Sequence, residues 1–538
     1  MAAVGTSDVE AAPLQVGGGK GLKVGALGLL STLVIGVASV APAYSLAASL
    51  GLVTSSVGFF SPSVMFLAFI PMLFIAAAYY YMNRADPDCG TTFTWVTRAM
   101  GPKSGWIGGW AILVTDLVVM PSLASIAGQY TFSLFGLNGL ASSTFWVTVI
   151  GVIWIAVMTL ICYIGIELSA RTQVALLGAE LVILVAFAVT ALAQVYGGHV
   201  KHSVHVSAGW LNPLKLVSGS GAPGWGAVSA GMLTAVFIYW GWDTAVTVNE
   251  ETKDAKRTPG LAAVLSTLVL LAVYLVVSLA AQAYHGAGFL TNNSGDVLGA
   301  LANDVFGSAW GKLLIIAVLT SAAASTQTTI LPAARSSLSM AVHKAFPKKF
   351  GEINAKHLTP GFATILFGAV SIAWYVILTW LSPNAVLGNS ISALGFGIAF
   401  YYGITGYACV FYYRKHIFRS FKNFVMVGLA PFVGAMILTV MFFIAAFYYS
   451  NPANAFVTGQ AWLPFIHFHF SIFGWQIYVH KGLGPPVVLG IGLLLLGVPL
   501  MLIWRVRHRE FFEHKREAAE SLEATAPPLT PGVVPVTD

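Results

Sequence analysis

Apolar residues follow one another without alternation along most of this chain, as at 268–277 and 491–504. A strand of a membrane barrel would alternate apolar and polar positions, so these runs read as helices. Runs of about 20 apolar residues are long enough to cross the hydrocarbon core of a bilayer. In the first half they fall at 24–50, 56–82, 104–135, 144–164 and 172–196. In the second half they fall at 226–248, 260–285, 309–342, 360–382 and 386–412, followed by 424–449 and 485–505. Loops rich in Pro, Gly and Asn punctuate them, as at 221–224 and 451–454. The pattern predicts an all-α integral membrane protein of twelve spans.

Composition agrees: 57% of the residues are hydrophobic and 9% charged, with a mean hydropathy of +0.80. A soluble protein carries about 25% charged residues, so lipid must solvate much of this surface. The net charge of +7 does not point to nucleic acid, because the basic residues sit in alternate loops. Arg84, Arg98, Arg171, Lys253, Arg257, Lys348, Lys349, Arg414 and Arg505 share one side if the N-terminus is cytoplasmic, whereas the other side holds only Lys201, Lys215, Lys312 and Lys481. That bias predicts an even number of spans across the cytoplasmic membrane, with both termini on its cytoplasmic side. The first 23 residues lack the form of a cleavable leader, because the first long apolar run is a full span. Cys89, Cys162 and Cys409 lie far apart with no metal-ligand spacing.

Interruptions of the runs carry the functional information. Span 1 contains Gly36-Val37-Ala38-Ser39-Val40-Ala41-Pro42, and span 6 contains Tyr239-Trp240-Gly241-Trp242-Asp243. These are the first helices of two consecutive groups of five spans, and paired interruptions at corresponding positions point to a transporter's midplane site. Unwinding there frees N–H groups for an anion and C=O groups for a cation. A kink at Pro42 and close packing at Gly36 and Gly241 are the plain structural alternatives.

With those breaks in place, the chain resembles the amino acid–polyamine–organocation permeases over nearly all of residues 24–450. The segments are Pro87-Asp88-Cys89-Gly90-Thr91-Thr92-Phe93, Gly165-Ile166-Glu167-Leu168-Ser169-Ala170-Arg171, and Gly241-Trp242-Asp243 with Glu250-Glu251 and Arg257-Thr258-Pro259. Arg335, Phe346-Pro347-Lys348 and Thr359-Pro360 complete the set. The resemblance implies a LeuT-type 5+5 inverted repeat with two accessory helices. It divides the chain into a disordered N-tail (1–23), a first repeat (24–196), an extracellular loop (197–225), a second repeat (226–412), helices 11 and 12 (413–505) and a C-tail (506–538). Two positions depart from the family pattern. Ala38 stands where the second glycine of the helix 1 break is usual, and Glu180 stands where many members carry a helix 5 lysine implicated in proton coupling.

Charges inside spans are expensive and mark function. Three acids qualify, Asp116, Glu180 and Asp243, with no basic residue at comparable depth. A carboxyl in that setting binds and releases a proton or pairs with a cation. Glu180 is the first candidate for proton or ion coupling. Asp243 is placed to accept a substrate ammonium or to cap the second half-helix, and Asp116 is a further coupling or structural candidate. Ser325 and Thr326 in span 8, with Thr328 and Thr329 close by, resemble the sodium-ligating hydroxyls of LeuT-type symporters, although hydroxyls in such helices also bond the carbonyl one turn back. Tyr239, Trp240 and Trp242 are candidates for the substrate's aromatic wall. His467 and His469 form a His-x-His that reads as interfacial rather than metal-binding. The mixed-charge stretch 250–257 is either a solvated loop or, by the resemblance, an intracellular gate.

These features predict a secondary active transporter of amino acids or related amines that works by alternating access. Gly36, Val37, Ala38, Ser39 and 239–243 would bind the substrate. A proton, or else sodium, would be the coupling ion, with no other cofactor. A polyamine or organic-cation exchanger and a sodium symporter of the same fold are the alternatives. Nothing in the sequence sets the oligomeric state. A channel would need a filter motif and an enzyme a convergent catalytic set, and neither is visible.

Overall fold

A computed structural model describes residues 20–216, 218, 222–381, 386–450, 468–472, 475–479 and 483–513. Its first stretch is extended: Leu27 forms a parallel bridge with Thr252. Helices α1 (Leu29–Val40) and α2 (Pro42–Val57) are separated by one residue, Ala41, in the left-handed region at φ 53°. α3 (Ser61–Ala85) follows a short 3-10 turn, and α4 (Thr92–Met100) leads into the long α5 (Pro102–Leu134). After the one-turn α6 (Asn138–Ala141) come α7 (Thr144–Ile164) and α8 (Ile166–Tyr196).

The second half begins with α9 (Gly224–Phe237) and the single turn α10 (Thr244–Thr247), and the six residues between them are wound as turns. α11 (Thr258–Asn292), α12 (Val297–Trp310), α13 (Lys312–Val342), α14 (Gly361–Leu381) and α15 (Val386–Tyr413) follow. α16 (Phe421–Asn423) passes through a π turn into α17 (Ala430–Ser450). Strands β1 (Phe468–Ile472) and β2 (Trp475–Val479) then pair as an antiparallel hairpin, the one pair of strands among the described residues. α18 (Pro485–Arg507) and α19 (Arg509–Glu513) complete the described chain.

Among the described residues ten stretches are long and apolar enough to cross a membrane, the first being the 57-residue run Leu29–Ala85 that contains α1, α2 and α3. Ala227–Phe237 is a shorter apolar helix. The outward face of α8 is apolar, as a lipid-facing surface must be: Val182, Val185 and Val189 are exposed, while Glu180, Leu184 and Ala188 are buried. The interior is built on α13, which packs along α5, α8 and α7, with α1 and α2 against it. α15 lies against α5, α17 and α3.

Both described ends of the chain reach the same end of the bundle. Lys23 pairs with Glu167, and Lys344 with Glu510 of α19. Phe511 stacks on Phe93 of α4. Residues 20–23, expected within a disordered tail, are thus ordered by ion pairs and by Leu22, which is buried. The C-terminal segment also stays helical beyond 506, because Phe511 and Phe512 bury against Phe93, Trp106 and Met501.

Candidate functional site

The first break falls later than the glycine suggested. Gly36, Val37, Ala38 and Ser39 are all helical in α1, and only Ala41 leaves the helix. Gly36 is a packing position, since a Cβ there would meet Ser266 Oγ at 2.5 Å and Ala245 Cβ at 3.1 Å. Pro42 is tolerated as the first residue of α2 because that position needs no N–H. The half-helix leaves two amides for outside partners: Ala43 N–H donates to Glu180 Oε1 (2.7 Å) and Tyr44 N–H to Ser321 Oγ (3.1 Å), whereas Ser45 N–H already returns to Ala41 O (2.8 Å).

The second break faces the first. Gly241 has φ +116°, and a Cβ on it would lie 2.8 Å from Ser39 O, so the position needs glycine on both counts. Ser39 Oγ hydrogen-bonds Thr244 Oγ1 at 2.8 Å. Asp243 stands at the N-cap of α10, but its side chain caps no N–H there. It accepts instead from Tyr402 (2.7 Å) and Tyr401 (3.2 Å) of α15. Trp240 Nε1 donates to Tyr401 (2.6 Å), and Gly241 N–H to Tyr402 (3.3 Å). Tyr79 of α3, Trp242 and Tyr402 form a mutually packed group with ring centroids 5.0–5.9 Å apart. Tyr239 lies apart from that group, edge-on to Tyr274. The Trp242 Nε1 and Tyr239 hydroxyl are buried without a partner among the described residues.

Asp116, on α5, is 3% exposed and within electrostatic reach of Asp243 and Tyr401. Its Oδ2 has no partner among the described residues. Glu180 is fully buried; Ser321 Oγ–H donates to its Oε1 (2.8 Å), and its Oε2 has no partner among the described residues. In α13, Ser325 Oγ–H donates to Ser39 O at the end of α1 (2.8 Å). Thr326 instead bonds Ala322 O one turn back, and Thr328 does likewise with Ala324 O. Tyr401, Tyr402, Tyr79 and Ser321 were not singled out in the sequence. The adjacent tyrosines in an otherwise apolar run were the available signal. Ser321 had none.

On one side of the breaks Leu52, Leu233, Ile391, Ser392, Gly395, Ala445 and Tyr449 line a small cavity of about 20 Å³, room for about one water molecule. The other side is sealed by ion pairs. Lys20 reaches Asp88 (2.7 Å) and Glu250 (2.6 Å), and Cys89 N–H also donates to Glu250 (2.9 Å). Asp88, Cys89 and Glu250 bring ligand atoms within 4.8 Å of one another, and the Lys20 ammonium supplies the positive charge among them. Burial opposes that ammonium, but the acidic groups around it (Cys89, Asp88 and Glu250) hold it above its ordinary value. Burial likewise opposes charge on Asp88, and Lys20 overrides it, leaving the carboxyl well below the usual range. Asp86 lies 2.9 Å from Arg98, yet burial prevails and pushes it up to about 6.

Deepest in this layer, Arg335 grips Glu251 through Nε (2.5 Å) and Nη2 (2.9 Å), with side-chain exposures of 2% and 0%. The 250–257 stretch is therefore divided: Glu250 and Glu251 belong to the seal, whereas Lys253, Asp254, Lys256 and Arg257 are solvated. His467 lies outside the described residues, and His469 sits in β1 opposite Tyr478.

The family model for amino acid permeases matches residues 27–471. An uncharacterized transporter of Mycobacterium tuberculosis is 27% identical over 70% of this chain and 78% of its own. The serine/threonine exchanger of Bacillus subtilis is 22% identical over 66% of this chain and 76% of its own. The low-affinity putrescine importer of Escherichia coli is 23% identical over 81% of this chain and 90% of its own.

Proposed function

The chain belongs to the amino acid permease family, multi-pass membrane transporters rather than enzymes, and from that premise we propose that it moves amino acids or related amines across the cytoplasmic membrane by alternating access. The observation that carries this reading is the meeting of two helix breaks. Ala41 and Gly241 interrupt helices at matched places in the chain, and Gly241 approaches the end of α1 directly. Half-helix termini facing each other at depth present N–H donors and C=O acceptors to a zwitterion. We read Leu29–Ala85 as two spans and α9 with α10 as one broken span, which gives twelve, in a LeuT-type 5+5 repeat with α16–α17 and α18 accessory. Both termini are then cytoplasmic, and the Lys20 and Arg335 ion pairs form the inner gate.

In this reading the substrate's amine lies toward Asp243, with Asp116 nearby and the Tyr79–Trp242–Tyr402 group as its wall. Glu180 is the proton-coupling residue, because it is buried against the first break with no basic partner among the described residues. Coupling by that route can be no larger than the difference in proton affinity between the two states. Sodium is the alternative ion, and the Ser325 bond to Ser39 O is the contact that favours it. Asp116 and Asp243, acids with no basic partner among the described residues, favour a second reading, an exchanger of polyamines or other organic cations. Uptake of amino acids and of putrescine into proteoliposomes, with and without a pH gradient, a sodium gradient or internal substrate, separates these cases. Uptake driven by a pH gradient and lost in Glu180→Gln is the expected result. Unchanged pH dependence in that variant removes Glu180 from coupling.

A further inference from the structure

We propose that Glu180 is a tethered stand-in for the substrate's own carboxylate, and that a proton on Glu180 releases its place to the substrate. The proposal rests on the reading of this site as an amino acid transporter's. It follows from where the amides of α2 go. An α-helix leaves its first N–H groups without internal partners. In α2 the first residue is Pro42, which has none, and the two that remain, on Ala43 and Tyr44, both lead to Glu180: one directly (2.7 Å), the other through Ser321, whose hydroxyl donates to the same Oε1 (2.8 Å). α2 is 16 residues long, and its N-terminus carries partial positive charge at depth. Such a terminus is an anion site, and here the chain fills it from within.

The arrangement is incomplete on one side. Glu180 is fully buried, and its Oε2 has no partner among the described residues. Of the titratable groups on the packed helices, Tyr274 of α11 faces Glu180 but sends its hydroxyl to Ile238 O, and Tyr44 sends its hydroxyl to Ser122 of α5. Ser321 is the contribution of α13. No charged group on these helices acts on Glu180 among the described residues. Among the described residues its carboxylate is therefore held by Ala43 N–H and by Ser321, itself held by Tyr44 N–H, and a proton arriving at Oε2 removes the charge they hold. An incoming carboxylate then outcompetes the neutral group for Ala43 N–H and Ser321, so one proton enters with each carboxylate. An amine without a carboxylate gains nothing from the exchange.

The test is ligand binding to the purified protein in detergent, read by thermal shift and titration from pH 5 to pH 8. The probes are the common L-amino acids and ornithine, each beside its decarboxylated amine. Wild type is expected to bind one or more amino acids with affinity falling about tenfold per pH unit at the alkaline end. Glu180→Gln keeps the acceptor but not the charge, and is expected to bind the same ligand without pH dependence, at least as tightly as wild type does at pH 5. Ser321→Ala removes a donor from Glu180 and from the ligand alike, so it is expected to weaken binding several-fold and keep the pH dependence. A pH slope that persists in Glu180→Gln, or loss of binding in that variant while it remains folded, overturns the exchange. Binding of the decarboxylated amines alone overturns the exchange while leaving a transporter of amines. Binding of neither set overturns the reading of the site itself.

Discussion

Removing Arg335 should open the inner seal, and the size of the effect follows from the partner left behind. Glu251 is 0% exposed and holds Arg335 through two contacts. In Arg335→Met the carboxylate loses the one counter-ion it has among the described residues, and breaking such a pair costs about 3–5 kcal/mol. Glu251 can limit the loss by taking up a proton. From an ordinary value near 4.3, that costs about 3.7 kcal/mol at pH 7. Where gate opening hydrates Glu251, the closed state therefore loses roughly 500-fold in population relative to the open one. At pH 5 protonation costs about 1 kcal/mol, so the deficit shrinks to about fivefold. Cys89 is a built-in reporter, fully buried beside Lys20. With Cys162 and Cys409 replaced by Ala, its alkylation by a maleimide in detergent, normalised at each pH to the unfolded protein, reads the open fraction. Labelling should accelerate strongly at pH 7 and much less at pH 5. The Arg335→Met/Glu251→Gln double variant should return to within about fivefold of wild type. An Arg335→Met variant that labels at the wild-type rate at pH 7 would refute the argument.

Gly241→Ala should reduce uptake to below a tenth of wild type without preventing insertion, because it combines a φ of +116° with a Cβ 2.8 Å from Ser39 O, and strain of that kind costs about 1–3 kcal/mol. Asp86→Asn should stabilise the protein at pH 7.5, since the folded carboxyl is raised from 3.8 to about 6. Its ionisation costs the folded state about 3 kcal/mol well above pH 6 and well under 1 kcal/mol below pH 4. Thermal unfolding should therefore separate the two proteins at pH 7.5 and not at pH 4, and a less stable Asn variant at pH 7.5 would contradict the assignment.

Membrane helices and both interruptions were legible in the sequence because they depend on local properties: continuous apolar runs, a proline and a glycine in unusual places. The point of rupture in span 1 was not. Gly36 is the residue most tolerant of unwinding, yet it stays helical because α10 and α11 press against it, and the break passes to Ala41 beside Pro42. Asp243 was identified as important, but its choice of Tyr401 and Tyr402 over a capping N–H is set by α15, about 160 residues away. Ser325 and Thr326 look alike in sequence, and only their phase on α13 separates the one that reaches Ser39 from the one that turns back. Residues 20–23 read as tail because nothing local orders them, and their partners lie as far off as Glu250.

That last separation has a consequence for biogenesis. Lys20 leaves the ribosome 230 residues before Glu250, which at about 5–20 residues per second is a wait of roughly 10–45 s. Arg335, which secures Glu251, follows later still. Throughout that interval the nascent chain carries an ammonium near the membrane with half of its acidic pocket missing. Closure of the seal can therefore occur only after α13 is made, and it marks a chain whose second half has begun to insert against the first.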